Sequence, residues 1–313
     1  MATDRSMLKK SVVILMNLAR DLFLLDIGQQ IPTILDYTDR FSVSRGIVQT
    51  ALETLQKDGS IQIEKRGVLG TYLEGKDDQK LYRHTGWDSI TGTMPIPLTP
   101  YFVSLTTGIC EALSDAPMDF SFAYMTGSSK RAEMLNMGVY DFMVASRSAA
   151  RLHVKEYEDL EICCELKGAV YSREYRLYFM DPEKKEIENG MRVGVDPVCM
   201  DQRILTERLC RKKRVEIVEF PFIAFEDIAK SGKVDCVVFR DIEWSSHAKG
   251  LELNEVPITN IRGFRPEDMN TPVVLVRKDN YAIDRLFEKY LDAEKIRFVQ
   301  QEVLEGKRTM KFY

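Results

Sequence analysis

The stretch from Ser42 to Leu55 constrains the fold more than any other part of the sequence. Four of its apolar residues are spaced i, i+3, i+4 and i+7 and share one face of an amphipathic helix: Val48, Ala51, Leu52 and Leu55. Ser44 is a favourable N-cap, and Arg45, Gln49 and Thr50 remain on or near the outer face. Arg and Gln near the start of a helix can read base edges in the major groove of DNA. The stretch is therefore a candidate recognition helix, although a short amphipathic helix of any α/β domain has the same spacing.

The residues around this helix favour the recognition-helix interpretation. A helical pattern over residues 6 to 25 precedes it, and Thr33 with Asp36 forms a capping pair that opens a second helix. Gly59 then supplies a left-handed helix stop. Two short strands joined by a basic, glycine-bearing turn follow: 61–64, 65–70 and 71–73. Helix, helix, turn, helix and hairpin is the pattern of a winged helix-turn-helix domain.

Part of this region resembles a known family of DNA-binding domains. Residues 41–52, the Asp58-Gly59 stop and residues 70–72 resemble the winged-helix domain of GntR-type bacterial transcriptional regulators. Ile47 replaces the usual Thr, Gln49 replaces the usual Arg, and the hairpin turn has no Arg between its glycines. The resemblance implies the fold but not the operator sequence. The predicted DNA-contacting residues are Ser44, Arg45, Gln49, Thr50, Lys65 and Arg66.

The charge balance limits the kind of DNA binding that the chain can perform. The 313 residues carry a formal net charge of −4, which excludes a polybasic, non-specific nucleic-acid binder. Residues 44–71 are also close to neutral. Because phosphate contacts supply much of the affinity for DNA, we expect weak binding by one domain and hence a homodimer on double-stranded operator DNA.

The cysteines and histidines give no sign of a metal site. The six cysteines form no C-x-x-C pair: Cys110, Cys163, Cys164, Cys199, Cys210 and Cys236. With three histidines, no metal-ligand spacing occurs, and neither a metal nor a cofactor is expected. The N-terminus lacks a signal-peptide pattern, and no apolar run reaches membrane-spanning length. These features predict a reduced, cytoplasmic location without membrane contact.

After a polar segment at 75–80, which predicts a loop at the edge of a linker, the sequence repeats a strand-loop-helix pattern. Gly138-x-Tyr140-Asp141 and Gly232-Lys233-x-Asp235 each precede a strand and look equivalent in two lobes. The strand at 272–276 and a helix from Ala282 to Val303 would return the chain to the first lobe.

This second region resembles the periplasmic-binding-protein-like (type 2) effector domain. Together with the winged helix it resembles the YhfZ family of proposed bacterial transcriptional regulators, through residues 92–95, 123–127 and 140–147. The expected fold is an α/β chain with an N-terminal winged helix-turn-helix domain followed by a two-lobed α/β domain. The predicted domains are residues 1–76 and 87–313. The predicted lobes are 87–170 with 265–313 for lobe 1, and 175–260 for lobe 2.

In such folds, ligands bind between the lobes, at the carboxyl ends of the strands. The loops at these ends contain ten predicted ligand-binding residues: Thr93, Met94, Thr126, Gly127, Ser128, Ser129, Ser146, Arg147, Asp196 and Arg240. The glycine, hydroxyls and free amides of 126–129 suit an anion at a helix N-terminus, and Arg147 could clamp an anion in a bidentate manner.

Each of these nominations has a structural alternative. Residues 126–129 could simply cap a helix, and Asp196 could start a turn before Pro197. Arg147 could instead pair with Glu133 or Asp141 at the surface. Arg240 and the following Asp241 could form an exposed, ion-paired loop.

The sequence contains no G-x-S-x-G motif, no P-loop and no His/Cys constellation, so it predicts a non-enzyme. The predicted function is a DNA-binding transcriptional regulator whose two-lobed domain senses a small anionic metabolite. Two alternatives stay open. The chain could be a metabolite-binding or enzymatic two-lobed protein whose wing serves protein contacts, or a DNA-binding scaffold with a vestigial cleft.

Overall fold

The computed structural model describes residues 9–87, 89–97, 99–116, 118–221, 224–240, 252–258 and 265–311. The chain divides into two compact units. Unit 1 comprises residues 1–90, 117–119 and 279–290; unit 2 comprises 91–116, 120–278 and 291–313. Residues 279–290, which the sequence assigns to lobe 1, therefore belong to the unit that contains the predicted DNA-binding domain.

The elements alternate between helices and strands along most of the chain. Those of the first 85 residues are α1 (Lys10–Leu24), β1 (Gln30–Ile31), α2 (Ile34–Phe41), α3 (Arg45–Lys57), β2 (Ile61–Lys65), β3 (Thr71–Lys76) and α4 (Asp78–Thr85). From residue 90 to 210 they are β4 (Ile90–Met94), α5 (Pro100–Leu113), β5 (Phe120–Tyr124), α6 (Ser128–Asn136), β6 (Phe142–Ser146), α7 (Arg147–Glu156), β7 (Leu160–Glu165), β8 (Tyr175–Phe179), β9 (Arg192–Val195) and α8 (Met200–Cys210). The remaining ones are β10 (Glu216–Glu219), α9 (Phe225–Lys230), β11 (Cys236–Arg240), β12 (Asn254–Pro257), α10 (Pro266–Asn270), β13 (Pro272–Arg277), α11 (Ile283–Tyr290) and α12 (Ala293–Leu304).

Unit 1 has the predicted winged helix-turn-helix arrangement. A capping box opens α2, because the Thr33 hydroxyl accepts from the Asp36 amide at 3.1 Å and the Asp36 carboxylate accepts from the Thr33 amide at 2.8 Å. Ser42 ends α2 in the left-handed conformation and starts the turn into α3. The four apolar residues that define the inner face of α3 are buried, as predicted: Val48, Ala51, Leu52 and Leu55. The wing is antiparallel, in the order β1-β3-β2, with a short 3-10 turn at 67–69.

The loop predicted at residues 75–80 is wrong. Strand β3 continues to Lys76 and α4 begins at Asp78. The Asp77 carboxylate accepts from the Lys80 amide at 3.0 Å and caps this helix. A polar composition indicated a linker, whereas the cap starts a helix that packs on α1.

A buried carboxylate in α1 ties α11 into unit 1. Asp21 is fully buried and accepts from the Tyr37 hydroxyl at 2.6 Å. The Arg285 guanidinium, on α11, donates to the same carboxylate. The ring of Tyr281 packs edge-on against Phe41 of α2, with centroids 4.7 Å apart. These contacts make residues 279–290 an integral part of the helix-turn-helix unit.

Unit 2 contains two five-stranded sheets in which the order and the directions of the strands follow the same pattern. Lobe 1 has the order β5-β4-β6-β13-β7, and lobe 2 has the order β10-β9-β11-β8-β12. Strands β4 and β6 are parallel, as are β9 with β10 and β11. In each sheet the fourth strand runs antiparallel to its neighbours, namely β13 in lobe 1 and β8 in lobe 2. The repeat predicted from parallel strands therefore also contains antiparallel strands.

The two aspartates that the sequence marked as equivalent have the same structural role. The Asp141 carboxylate accepts from the Thr91 amide at 3.0 Å, and the Asp235 carboxylate accepts from the Arg192 amide at 2.7 Å. Each aspartate thereby ties the entry of the third strand of its sheet to the start of the second. The equivalence of the two motifs is confirmed in their hydrogen bonding.

The single helix predicted from Ala282 to Val303 is wrong, because α11 and α12 are separate helices. The Asp292 carboxylate accepts from the amides of Glu294 and Lys295 and starts α12 as a new helix. The first of the two helices belongs to unit 1 and the second to unit 2. Within the described residues, no helix combines the length and the apolar composition needed to cross a bilayer.

Candidate functional site

A small cavity lies between the two lobes of unit 2. Its volume is about 100 Å³. Lobe 1 contributes the residues after β4 and the N-terminal turn of α6, while lobe 2 contributes the end of β9, the start of α8 and the end of β11. These are the carboxyl ends of strands, the position at which an open α/β sheet binds its ligands.

Five of the ten nominated ligand residues line this cavity: Thr126, Gly127, Ser128, Asp196 and Arg240. Thr93 and Met94 are fully buried, and the next two residues of the loop line the cavity in their place. Ser129 lies half-buried in the first turn of α6, outside the lining. Asp241, which the sequence coupled to Arg240, lies outside the described residues.

Ser146 and Arg147 lie near the cavity but make other contacts. The Ser146 hydroxyl donates to the Asp201 carboxylate at 2.8 Å, which links β6 of lobe 1 to α8 of lobe 2. The Arg147 guanidinium pairs with Glu165 at 2.8 Å and Asp268 at 3.2 Å, rather than with the two carboxylates considered from the sequence. Ser146 thus joins the two walls of the site, and Arg147 is already engaged in ion pairs.

Arg131 is a charged residue of the cavity that sequence reasoning missed. Only 2 % of Arg131 is exposed, and its guanidinium donates to the Val144 carbonyl at 2.8 Å. A weaker contact at 3.4 Å reaches the Tyr171 hydroxyl. Its Nε atom has no hydrogen-bond partner among the described residues. A signal was present, because Arg131 shares the buried face of α6 with Ser128 and Leu135, at i, i+3 and i+7.

A second guanidinium in the cavity, that of Arg240, is surrounded by aromatic rings. Its carbon lies 5.2, 5.8 and 5.0 Å from the ring centroids of Phe102, Tyr171 and Tyr175, respectively, within cation–π distance. The Asp201 carboxylate lies 3.8 Å from the same guanidinium. Arg240 therefore has both a charge partner and a preferred orientation.

The acceptors on the lobe 2 wall are already in use. The Gln202 amide oxygen accepts from the Asp196 amide at 2.8 Å, and its nitrogen donates to the Val238 carbonyl at 2.7 Å. The Asp196 carboxylate accepts from the Val198 amide at 3.0 Å. Two buried polar atoms of the lobe 1 wall, the Ser128 Oγ and the Arg131 Nε, have no hydrogen-bond partner within the described residues.

Burial perturbs the ionisable groups in and next to the cavity. Desolvation raises the pKa of the Asp201 carboxyl, and the positive charges of Arg240 and Arg131 oppose this rise. Desolvation also raises the pKa values of Tyr171 and Cys199. Behind the cavity, desolvation and then the charge of Arg131 lower the pKa of His153 to about 4. The described residues include no cluster of His, Cys, Asp or Glu that could hold a metal ion.

The predicted DNA-contacting residues form the exposed side of α3 and the wing. Ser44 occupies the N-cap position of α3, without the side-chain hydrogen bond expected of it. Arg45 and Gln49 line one groove, together with Gly70 and Thr71 of the wing. Thr50 donates to the Gly46 carbonyl and lines a second groove, on the α1 side. The arginine and glutamine thus share one surface with the wing.

The two basic residues that the sequence predicted to contact DNA in the wing, Lys65 and Arg66, have different surroundings. Lys65 is exposed and makes no ion pair within the described part of the chain. Arg66 is held between Glu64 and Glu74, each at 2.5 Å, and its guanidinium lies 4.3 Å from the ring centroid of Tyr72. The adjacent carboxylate of Glu64 raises the pKa of Arg66. Lys65 is therefore the basic side chain of the wing that is available to a phosphate.

Comparison with known proteins identifies both domains. The family described as "Helix-turn-helix domain" matches residues 26–73, and the family described as "YhfZ C-terminal domain" matches residues 77–312. The protein YhfZ of Escherichia coli (strain K12) is 31% identical over 304 residues, which cover 97% of this chain and 98% of that protein. The chain belongs to the YhfZ family.

Solved structures agree with this assignment. The crystal structure of YhfZ from Shigella flexneri is similar with a TM-score of 0.61 and 28% identity, over 75% of this chain and 97% of that one. An ancestral arginine-binding protein bound to arginine is more distantly similar, with a TM-score of 0.47 and 16% identity, over 70% of this chain and 94% of that one. The predicted family and the predicted fold class are confirmed. In this YhfZ-family chain, the helix-turn-helix domain indicates DNA binding.

Proposed function

We propose that the chain is a cytoplasmic transcriptional regulator that binds operator DNA as a homodimer and senses a small anionic metabolite between its lobes. The path of the polypeptide carries this proposal. Strand β13 lies in the sheet of lobe 1, residues 279–290 belong to the helix-turn-helix unit, and α12 belongs to unit 2 again. One continuous segment therefore takes part in both functions.

The exposed face of α3 supports DNA binding. Arg45 and Gln49 are exposed, and the inner face of the helix is packed into unit 1, so the two side chains can reach base edges without loss of core contacts. Lys65 extends the same surface with one uncommitted positive charge. Because this is little charge for one domain, a second copy on a neighbouring half-site would supply the remaining affinity.

The contacts of α11 support coupling between metabolite and DNA. The guanidinium of Arg285, on α11, donates a hydrogen bond to the buried carboxylate of Asp21. The ring of Tyr281, just before α11, packs against Phe41, the last residue of α2. A shift of β13 on ligand binding would therefore act on the helix that precedes the recognition helix. Such a shift would change the relative populations of two existing conformations of the DNA-binding dimer and would not create a new conformation.

A gel-shift titration on DNA from upstream of the protein's own gene tests the DNA-binding part. We expect Arg45→Ala to weaken binding by about 5- to 150-fold, the value of one good base contact, and to leave the thermal midpoint unchanged. Arg83→Ala, which removes an exposed arginine from α4, is the matched control and should bind normally. Equal binding by both variants would contradict the assignment of α3 as the recognition helix.

A further inference from the structure

We infer that the metabolite is a short carboxylate without an ammonium group, and that its carboxylate binds at Arg131 and the N-terminal turn of α6. This inference rests on the proposed function, since it names the ligand of the proposed sensing site. Three observations carry it: the lack of an ion pair at Arg131 among the described residues, the location of unused hydrogen-bond donors, and the size of the cavity.

Arg131 is a buried positive charge without an ion-pair partner of its own. The two carboxylates that line the cavity have other partners: Asp201 faces Arg240 at 3.8 Å, and Asp196 accepts from the Val198 amide at 3.0 Å. Arg131 itself makes no ion pair with any residue in the described part of the chain. A buried guanidinium without an anion is costly, and its charge is permanent. A ligand with one negative charge would remove this cost.

Two unused donors of the cavity lie on the same buried face of α6, at its N-terminal end. The Ser128 hydroxyl is buried and, within the described ranges, has no hydrogen-bond partner, as is also true of the Arg131 Nε. Helix α6 begins at Ser128, and its N-cap is Gly127, which offers no side chain to the first amides. A hydroxyl, a guanidinium N–H and helix amides are all donors, and a carboxylate supplies only acceptors.

Among the described residues, both carboxylates of the opposite wall already have partners. Asp201 faces Arg240 and accepts from Ser146, and Asp196 accepts from the Val198 amide. The ammonium group of an α-amino acid would also add a second cation to a wall that already carries Arg240. The geometry favours a simple or hydroxylated acid over the corresponding amino acid.

The size of the cavity limits the ligand to a few atoms. At about 100 Å³ it is smaller than a cavity of about 150 Å³ that holds benzene, so we expect about four to six non-hydrogen atoms. Gly127 sets this limit from lobe 1, since a Cβ atom there would lie 2.6 Å from the Cβ of Val198 in lobe 2. Apolar side chains, Ile96 and Phe239 among them, line the remainder. A three- or four-carbon acid fits these limits.

The test uses the full chain and matched pairs of small molecules. Propionate is compared with glycine and lactate with alanine, since each pair has the same number of non-hydrogen atoms. Inorganic phosphate serves as a multiply charged anion, and all are measured by thermal shift and calorimetric titration. We expect a carboxylate to bind at least tenfold more tightly than its amino counterpart. Arg131→Met should abolish this binding, with a loss of at least a hundredfold, and Ser128→Ala should weaken it about tenfold. The matched control is Lys130→Met, since Lys130 is exposed on the same helix and pairs with Glu133.

The results separate this inference from the proposed function. Tighter binding of an amino acid or of phosphate would overturn the inference and leave the sensing function intact. Carboxylate binding that survives in Arg131→Met would also overturn it. If no compound and no metabolite extract binds, the sensing function itself fails. In the unliganded protein, Ser128→Ala should not lower the thermal midpoint, because the Ser128 hydroxyl has no hydrogen-bond partner in the described ranges. Arg131→Met also loses the hydrogen bond to the Val144 carbonyl, so its binding is measured below its own thermal midpoint. A large drop in the midpoint of Ser128→Ala would assign Ser128 a purely structural role.

Discussion

The two units each bury a charged cluster, and the clusters differ in how completely they are paired. In unit 1, Asp21 has the Tyr37 hydroxyl at 2.6 Å, the Arg285 guanidinium in contact and Arg40 at 4.0 Å. In unit 2, Arg131 has carbonyl and hydroxyl partners but no anion among the described residues. A completed cluster holds helices together, whereas an incomplete one is suited to bind a charged group from outside.

The largest expected effect concerns the completed cluster. Asp21→Ala leaves a half-buried guanidinium and a buried phenol without their acceptor. We therefore expect a loss of about 3–5 kcal/mol in the free energy of unfolding, measured by urea denaturation. Asp26→Ala is the matched control, because Asp26 pairs with Lys289 in an exposed position. If the two variants were equally stable, the Asp21 cluster would not be what holds α11 in unit 1.

The next effect concerns His153, which lies behind the incomplete cluster. His153 is fully buried, its ring nitrogens have no hydrogen-bond partner in the described ranges, and the ionisable groups around it are Arg131 and, at 3.8 Å, Glu156. Its pKa of about 4 is below the unfolded value of about 6.5. The unfolded chain therefore takes up the proton first as the pH falls.

The stability that His153 contributes is present above pH 6.5 and lost between about pH 6.5 and 4. The expected loss is about 3 kcal/mol. In His153→Leu this part of the acid sensitivity should vanish, so the difference between the two unfolding free energies should change with pH over that range. A constant difference from pH 7 to 4 would contradict a neutral, buried His153.

A smaller effect on the free energy of unfolding is expected from two serines at or near the cavity, Ser146 and Ser128. The Ser146 hydroxyl donates to Asp201 at 2.8 Å and accepts from the Ala149 amide at 3.1 Å. The Ser128 hydroxyl has no partner in the described part of the chain. Ser146→Ala should therefore cost about 1–2 kcal/mol in unfolding free energy, and Ser128→Ala should cost nothing in the absence of ligand. Equal losses would show that the cavity's donors are satisfied without a ligand.

The smallest effect is expected on DNA affinity, from the paired and the unpaired basic side chains of the wing. Arg66 is already paired with two glutamates, whereas Lys65 is not. We expect Lys65→Ala to weaken DNA binding about threefold at low salt and Arg66→Ala to weaken it by less than about twofold. Anisotropy titrations at two salt concentrations measure both values. A larger effect of Arg66 would mean that it leaves the glutamates for a phosphate.

The sequence was sufficient for features that depend on local periodicity and capping. The inner face of α3, the Thr33–Asp36 capping box and the paired aspartates of the two lobes were all predicted from spacing alone. Helix α4 and the break at Asp292 were missed because a single capping carboxylate in each case outweighed the composition of a longer segment.

The site was predictable only in part, because its chemistry depends on partners from distant segments. Ser128, Asp196 and Arg240 were predicted as ligand-binding residues because they lie in loops at the strand ends. Whether a nearby cation is free depends on tertiary pairing: Arg147 is paired by Glu165 and Asp268, and Arg131 is not. Arg131 was detectable as a charge on an apolar helical face, but Tyr171 lies between strands and follows no periodic pattern.

The central claim is that a small acid bound at Arg131 changes how the chain binds DNA. The direct test is a fluorescence-anisotropy titration of full-length protein on DNA from upstream of its own gene, with and without the carboxylate that gives the largest thermal shift. We expect the acid to change the dissociation constant at least fivefold for the unmodified chain and for Lys130→Met. Arg131→Met should bind DNA but not respond to the acid. An unchanged dissociation constant in the unmodified chain, or the same response in Arg131→Met, would contradict the account.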